Sequence, residues 1–215
     1  MTRPRRPHAS GGVLLRPWRP SDAPAVLRAF APAEMARQSG GHPVTTQAEA
    51  LDWIARWERE RTAGTGYAWA AVRPTGRSAT GRSEVAQGAV VRGEVVRSAA
   101  VQGAAVQGEA LGCVAVTAVN QVHGCGWVSY WTTEAARGSG VASAGVRALA
   151  RWAFEDLGLY RLELGHRTDN PASCAVARRA GFTAEGIERG KLRYGDVRHD
   201  VERHARLATD PVNFG

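Results

Sequence analysis

The sequence contains almost no lysine. Of its 28 basic residues only Lys191 is a lysine and the rest are arginine, and 20 acidic residues leave a formal net charge of +8. A nucleoside-triphosphate loop of the form G-x-x-x-x-G-K-[ST] needs a lysine beside its glycines. Lys191 lies far from the glycine-rich stretch at 138–140, so this class of phosphate site is excluded. The arginines are scattered along the chain, which predicts no nucleic-acid partner.

Cysteine is also scarce, and long apolar runs are missing. Cys113, Cys125 and Cys174 form no C-x-x-C pair, and His123-x-Cys125 is too small a motif for a metal site. We therefore expect neither a disulfide framework nor a metal cofactor. The basic N-terminus is followed by no long apolar stretch, which predicts no signal peptide, no membrane partner and a cytoplasmic location.

The pattern of apolar residues predicts a mixed α/β domain built on one sheet, with elements in the order β-α-α-β-β-β-α-β-α-β-β. We expect one domain at 13–209, preceded by a disordered basic tail at 1–12 and followed by a tail at 210–215. From Val85 the chain repeats every five residues, as in VAQGA, VVRGE and AVQGA, which fits neither a helix nor a strand. This repeat predicts a low-complexity insertion at about 73–110.

Several elements carry signals at their ends. VLLRPWRP (13–20) predicts a first strand, and Thr46-x-x-Glu49 is a capping box that predicts the start of a helix ending at Gly64 or Gly66. Asn170, followed by proline, predicts the start of another helix.

A glycine-rich turn joins a predicted strand at 125–133 to a predicted helix at 139–158. The first backbone N–H groups of such a helix have no partner within it, and the helix dipole adds positive charge, so a pyrophosphate could bind to the main chain without any lysine. A connection that only packs a helix against a sheet explains the glycines equally well. A dinucleotide-binding fingerprint fits poorly, because Ser143 replaces the third glycine and Glu163 lies in the middle of the next strand.

Two motifs resemble a known family. Arg137-Gly-Ser-Gly140-Val-Ala142 fits the R/Q-x-x-G-x-G/A pattern of the GNAT superfamily of N-acetyltransferases, at the expected strand-to-helix junction. The stretch DNPASCAVARRAGF is similar to the second helix of its ribosomal-protein N-terminal acetyltransferase (RimJ/RimL-like) branch. The resemblance covers about 13–72 and 110–208. It implies an α/β fold with a central, partly splayed mixed sheet flanked by helices.

The resemblance also implies an activity and a donor site. The expected reaction moves the acetyl group of acetyl-CoA to a primary amine, on a protein, a peptide or a small molecule, by direct attack; family members are often homodimers. The gap between the strands at 125–133 and 160–167 would hold acetyl-CoA. The pantetheine arm would pair with the strand, the pyrophosphate would bind the turn, and the next helix would position the pantetheine. The implied residues are, in that order, Val128, Tyr130, Trp131, Thr132 and Thr133; Arg137, Gly138, Ser139, Gly140, Val141, Ala142 and Ser143; and Asn170 and Ser173.

The resemblance assigns the catalytic groups less completely. Ser173 is the candidate general acid for the departing thiolate, and the alternative is a serine that only satisfies local backbone. Many family members have a tyrosine where this chain has Ala177, and Rim-type enzymes often have a glutamate where it has Trp127. The general base is therefore unassigned, with His123 and Glu134 as weak candidates.

The lack of an assigned general base affects which acceptor amine is expected. An α-amino group with a pKa of about 7.8 is roughly a quarter neutral at pH about 7.4, whereas a lysine side chain with a pKa of about 10.4 is about a thousandth neutral. This favours an α-amine or another amine of low pKa. The resemblance implies that Trp53, Trp57 and Trp127 line the acceptor pocket, whereas the helical spacing of the first two favours a place in a helix core. Two alternatives stay open, a GNAT-fold acyl-CoA-binding regulatory protein without catalysis and a transferase using another donor such as succinyl-CoA.

Overall fold

The structure is a computed structural model that describes residues 12–38, 43–74 and 108–211. Most of the predicted insertion and almost all of the predicted N-terminal tail lie outside the described residues. The helices are α1 (Ala23–Phe30), α2 (Ala33–Gln38), α3 (Gln47–Ala63), α4 (Val141–Glu155) and α5 (Pro171–Arg179). The strands are β1 (Leu14–Arg16), β2 (Tyr67–Val72), β3 (Ala110–Asn120), β4 (Cys125–Thr132), β5 (Arg161–Arg167), β6 (Thr183–Tyr194) and β7 (Val197–Leu207).

The seven strands form one mixed sheet in the order β1-β2-β3-β4-β5-β7-β6. β4 and β5 are parallel, and the other neighbouring pairs are antiparallel. This confirms the predicted mixed α/β fold on one sheet. The predicted order omitted α2. None of the described helices is long and apolar enough to cross a membrane.

The sheet splits between its two parallel strands. β4 pairs with β5 only from Cys125 to Trp127, whereas β5 continues along β7 as far as Arg167. On its other side β4 stays paired with β3 as far as Thr132. From residue 128 onward the β5-facing edge of β4 therefore borders a gap. The predicted splay of the sheet is confirmed.

The helices lie against the sheet through small and branched side chains. α4 approaches β3 so closely at Gly145 that a Cβ there would lie 2.8 Å from Val114 Cγ1. Leu149 of α4 and Leu162 of β5 are completely buried in the same core cluster. This close approach holds α4 against β3.

A buried ion pair attaches β1 to the start of α1. Arg16 donates from both terminal nitrogens to Asp22, over 2.6 and 2.7 Å, and the two side chains are 3% and 6% exposed. Arg16 also donates to the carbonyl of Gly108 over 2.9 Å. A buried charge needs a partner of opposite sign, because an unpaired one would destabilise the fold strongly.

Candidate active site

The glycine-rich turn lies at the mouth of the gap in the sheet. After β4 the chain forms a single 3₁₀ turn at Glu134–Ala136, and two glycines with positive φ, Gly138 at +70° and Gly140 at +79°, then lead into α4. A Cβ built on either glycine would meet no atom within 4 Å. The turn is held from outside by Arg73, which donates to the carbonyl of Ser139 over 2.8 Å. The result is an open concave surface at the positive end of a helix dipole.

A first cavity, of about 580 Å³, extends from this turn along the end of β4 to α5. Most of the residues predicted to bind the donor line it, namely Tyr130, Trp131, Thr132, Arg137, Gly138, Gly140, Val141, Ala142, Ser143, Asn170 and Ser173. Three others do not. Val128 lines a second cavity, Thr133 donates its hydroxyl to the carbonyl of Leu111, and Ser139 donates its hydroxyl to the carbonyl of Ala136.

The first turn of α5 is held at both ends. Asn170 is the N-cap residue, and its Oδ1 accepts a hydrogen bond of 3.0 Å from the Ser173 N–H. Tyr130, on β4, donates its hydroxyl across the gap to the carbonyl of Ser173 over 3.1 Å. Burial raises the pKa of Tyr130, so the phenol keeps the proton that this bond requires. The Ser173 hydroxyl itself has no hydrogen-bond partner within the described part of the chain.

A second cavity, of about 480 Å³, lies on the other side of this junction. The three predicted pocket tryptophans line it, namely Trp53 and Trp57 on α3 and Trp127 on β4. The two cavities share six lining residues: Met35, Tyr130, Trp131, Arg167, Asn170 and Ser173. A molecule in the first cavity and a molecule in the second would therefore meet beside Ser173 and Tyr130.

Glu188 and His166, which line the second cavity, already interact with other groups. Glu188 accepts from Lys191 Nζ over 3.1 Å and from Arg203 over 3.4 Å, and the first of these bonds is the main cause that lowers the Glu188 pKa. His166 has one ring nitrogen 2.9 Å from the Arg167 carbonyl and the other 3.0 Å from His204. Neither group is arranged as a strong base for an incoming amine.

The two candidate bases lie elsewhere. His123 is exposed on the β3–β4 turn, where its backbone N–H donates to Asn120 Oδ1. Glu134 is exposed on the 3₁₀ turn. Neither residue lines the first or the second cavity. Ala177, at the family's tyrosine position, is completely buried in the core and likewise faces neither cavity.

Sequence reasoning missed several lining residues. Pro32 and Met35 belong to the α2 region, which was not predicted, and Glu188 and Tyr194 come from the C-terminal hairpin. The side chains at 188, 192 and 194 of β6 all line the second cavity, and the even spacing of a strand could have grouped them on one face. No pattern in the sequence indicates that this face meets the tryptophans of α3.

A mixed sheet that splits between two parallel strands, with a glycine-rich helix start at the split, is the acyl-CoA N-acyltransferase fold. The chain belongs to the GNAT acetyltransferase domain family, whose model matches residues 13–183. The RimJ/RimL-like branch is supported by the relatives below.

Among curated proteins the chain is similar to YdaF of Bacillus subtilis (strain 168), provisionally named a ribosomal N-acetyltransferase, with 31% identity over 96 residues, 45% of this chain and 52% of YdaF. It is also similar to the ribosomal-protein-serine acetyltransferase of Escherichia coli (strain K12), with 29% identity over 97 residues, 45% of this chain and 54% of that protein. These matches thus span about half the length of each relative. Among solved structures, the ribosomal L7/L12 α-N-protein acetyltransferase RimL in complex with coenzyme A superposes with a TM-score of 0.68 at 22% identity, covering 93% of this chain and 96% of RimL.

Proposed function

We propose that the protein is an N-acetyltransferase that moves the acetyl group of acetyl-CoA to a primary amine by direct attack. The amine nitrogen bonds to the acetyl carbonyl carbon, the carbon–sulfur bond breaks, the amine loses a proton and the thiolate takes one up. The observation that carries this proposal is the meeting of the two cavities at Ser173 and Tyr130. A donor bound in one and an acceptor bound in the other are then positioned to react without a covalent enzyme intermediate.

The first cavity fits the donor in charge and shape. The open glycines and the N–H groups at the start of α4 suit a pyrophosphate, and Arg137 adds a cation at the same place. The unpaired edge of β4 beyond residue 127 offers backbone groups to the amides of a pantetheine arm, as an added strand would use them. In this arrangement the thioester lies next to Ser173, whose hydroxyl donates the proton to the leaving thiolate.

The second cavity favours an amine that is already neutral. Glu188 has a lowered pKa and two cationic partners, and both ring nitrogens of His166 are in contact with other groups. A water molecule then has to carry the amine proton away, which works best for an amine of low pKa. We therefore propose an α-amino group, such as a protein N-terminus, as the acceptor in preference to a lysine side chain.

Thiol release from acetyl-CoA tests the activity, measured against a panel of free-N-terminus peptides, lysine-containing acetylated peptides and small amines. We expect release with at least one α-amine and a lower kcat/KM for lysine side chains. CoA binding without turnover on any amine would favour the regulatory alternative, and turnover with succinyl-CoA alone would change the donor.

Ser173→Ala tests the acid. We expect a lower kcat with an unchanged Kd for CoA. Ser129→Ala is the matched control, because Ser129 lines the second cavity but not the junction. An unchanged kcat in Ser173→Ala would remove Ser173 as the acid. We also propose that the protein forms a homodimer. Light scattering during gel filtration tests this by measuring the molar mass in solution.

A further inference from the structure

Four potential metal ligands converge beside the first turn of α5. His166 lies on β5, Cys174 on α5, and Glu202 and His204 on β7, and one ligand atom from each lies within 4.8 Å of every other. The His204 side chain is fully buried, that of His166 is 5% exposed and that of Glu202 is 23% exposed. The acetyl-transfer proposal assigns no role to this group.

Four of the six distances between these atoms are close to the edge lengths of a tetrahedral zinc site, and the other two are within 4.8 Å. Zinc binds imidazole nitrogen and carboxylate oxygen at about 2.0–2.2 Å and thiolate sulfur at about 2.3 Å, so neighbouring ligand atoms of a tetrahedral site lie about 3.3–3.6 Å apart. Here His166 Nε2 lies 3.0 Å from His204 Nε2 and 3.3 Å from Glu202 Oε2. Glu202 Oε2 lies 2.9 Å from His204 Nε2 and 3.4 Å from Cys174 Sγ. A small expansion would admit the ion.

When both histidines are neutral, the cluster has too few hydrogen-bond donors for its acceptors. His166 Nδ1 lies 2.9 Å from the Arg167 carbonyl, which can only accept, so Nδ1 carries the proton and Nε2 presents a lone pair to the cluster. A single proton on His204 Nε2 then has to serve both His166 and Glu202. A carbonyl partner on the remote nitrogen is the usual orientation of a metal-bound histidine.

We propose that His166, Cys174, Glu202 and His204 bind one zinc ion as a closed, four-coordinate structural site. Two imidazoles with a thiolate and a carboxylate suit zinc, and four protein ligands leave no open position for chemistry. On binding, the ion displaces the thiol proton of Cys174, which passes to solvent, and the proton of His204 moves from Nε2 to Nδ1 so that Nε2 can bind the ion. The ion joins β5, α5 and β7, so it holds the turn that carries Asn170 and Ser173 against the sheet. Its role is structural, and the acetyl transfer does not use it.

The test uses the full-length protein without an affinity tag. We expect one equivalent of zinc per chain by elemental analysis, and a melting temperature that rises with added zinc after treatment with a chelator. Cobalt(II) in place of zinc should give tetrahedral d–d bands together with a thiolate-to-cobalt charge-transfer band. This band reports the thiolate directly in the wild-type protein, whatever the variants do to folding.

Cys174→Ser and Glu202→Gln should each weaken zinc binding by at least about tenfold in a competition with a chromophoric chelator. Loss of an outer-shell partner alone typically costs 10–100-fold, which makes this a lower bound for a ligand. Cys125→Ser is the matched control, because Cys125 is a free, half-buried cysteine outside the cluster. The proposal is overturned if the wild-type protein takes up no stoichiometric zinc, or if its cobalt form lacks the charge-transfer band.

Discussion

The two glycines of the turn allow a sharp test of the donor site. Gly138 and Gly140 have φ of +70° and +79°, a region that costs a residue with a side chain about 1–2 kcal/mol. A Cβ at either position would meet no protein atom, so no clash adds to this cost. We expect Gly138→Ala and Gly140→Ala each to lower the melting temperature by about 2–8 °C, since 1 kcal/mol corresponds to about 2–4 °C in a chain of this size.

The effect on binding should be larger than that strain. The methyl group enters the space where the pyrophosphate would lie, and it separates the phosphate oxygens from a backbone N–H. A hydrogen bond to a charged group contributes about 1.5–3 kcal/mol. Losing one such bond weakens CoA binding by about tenfold to a hundredfold.

Gly158→Ala is the control. Gly158 has a φ of +69°, and a Cβ built on it would also meet no atom within 4 Å. It lies beyond the C-terminal end of α4, away from the glycine-rich turn. It should lose similar stability and keep the wild-type Kd for CoA. Calorimetric titration with CoA and thermal denaturation measure both quantities. If the two turn variants bind CoA as Gly158→Ala does, the turn is not the pyrophosphate site.

Three further predictions address stability and chemistry. Asp22→Ala leaves the Arg16 charge buried and should lower the free energy of unfolding in urea by about 3–5 kcal/mol. The control, Asp52→Ala, breaks an exposed ion pair and should lower it by less than about 1 kcal/mol. Equal losses in the two variants would contradict this prediction. Asn170→Ala should cost about 1 kcal/mol, and Asn170→Asp should restore most of it, because the carboxylate can still cap α5. For a peptide acceptor, kcat/KM should rise about tenfold per pH unit below the amine pKa of about 7.8. An inflection that stays fixed when acceptors of different pKa are compared would instead reveal an enzyme base.

Elements with local chemical signals were predicted well. The capping box at Thr46 begins α3 as predicted, Gly64 ends it where the sequence allowed Gly64 or Gly66, and Asn170 caps α5. The errors also have local causes. The predicted strand 13–20 ends at Arg16, because Pro17 lacks the N–H that strand pairing needs. α4 begins at Val141, two residues later than predicted, because Gly140 adopts a left-handed conformation.

The parts that could not be predicted depend on long-range contacts. The hydrogen bond from Tyr130 to Ser173 joins residues 43 apart, and the pair of histidines in the proposed zinc site are 38 apart. Both contacts depend on which strands become neighbours in the sheet. The order β5-β7-β6 brings the C-terminal hairpin next to β5, and nothing in the spacing of the sequence indicates that order.

The residue at the family's glutamate position gives the strongest support to the proposal of a low-pKa amine as the acceptor. Trp127 lines the second cavity, and the guanidinium of Arg203 lies 4.5 Å from its ring centroid. Arg203 in turn pairs with Glu163 over 3.0 Å and with Glu188 over 3.4 Å. The Trp127 ring can contact an apolar side chain of the acceptor, but neither the ring nor the paired Arg203 can take up a proton. Selection among amines would then depend on the fraction of each amine that is already neutral. With pKa values of about 7.8 for an α-amine and about 10.4 for a lysine side chain, that fraction is a few hundred times larger for the α-amine at neutral pH.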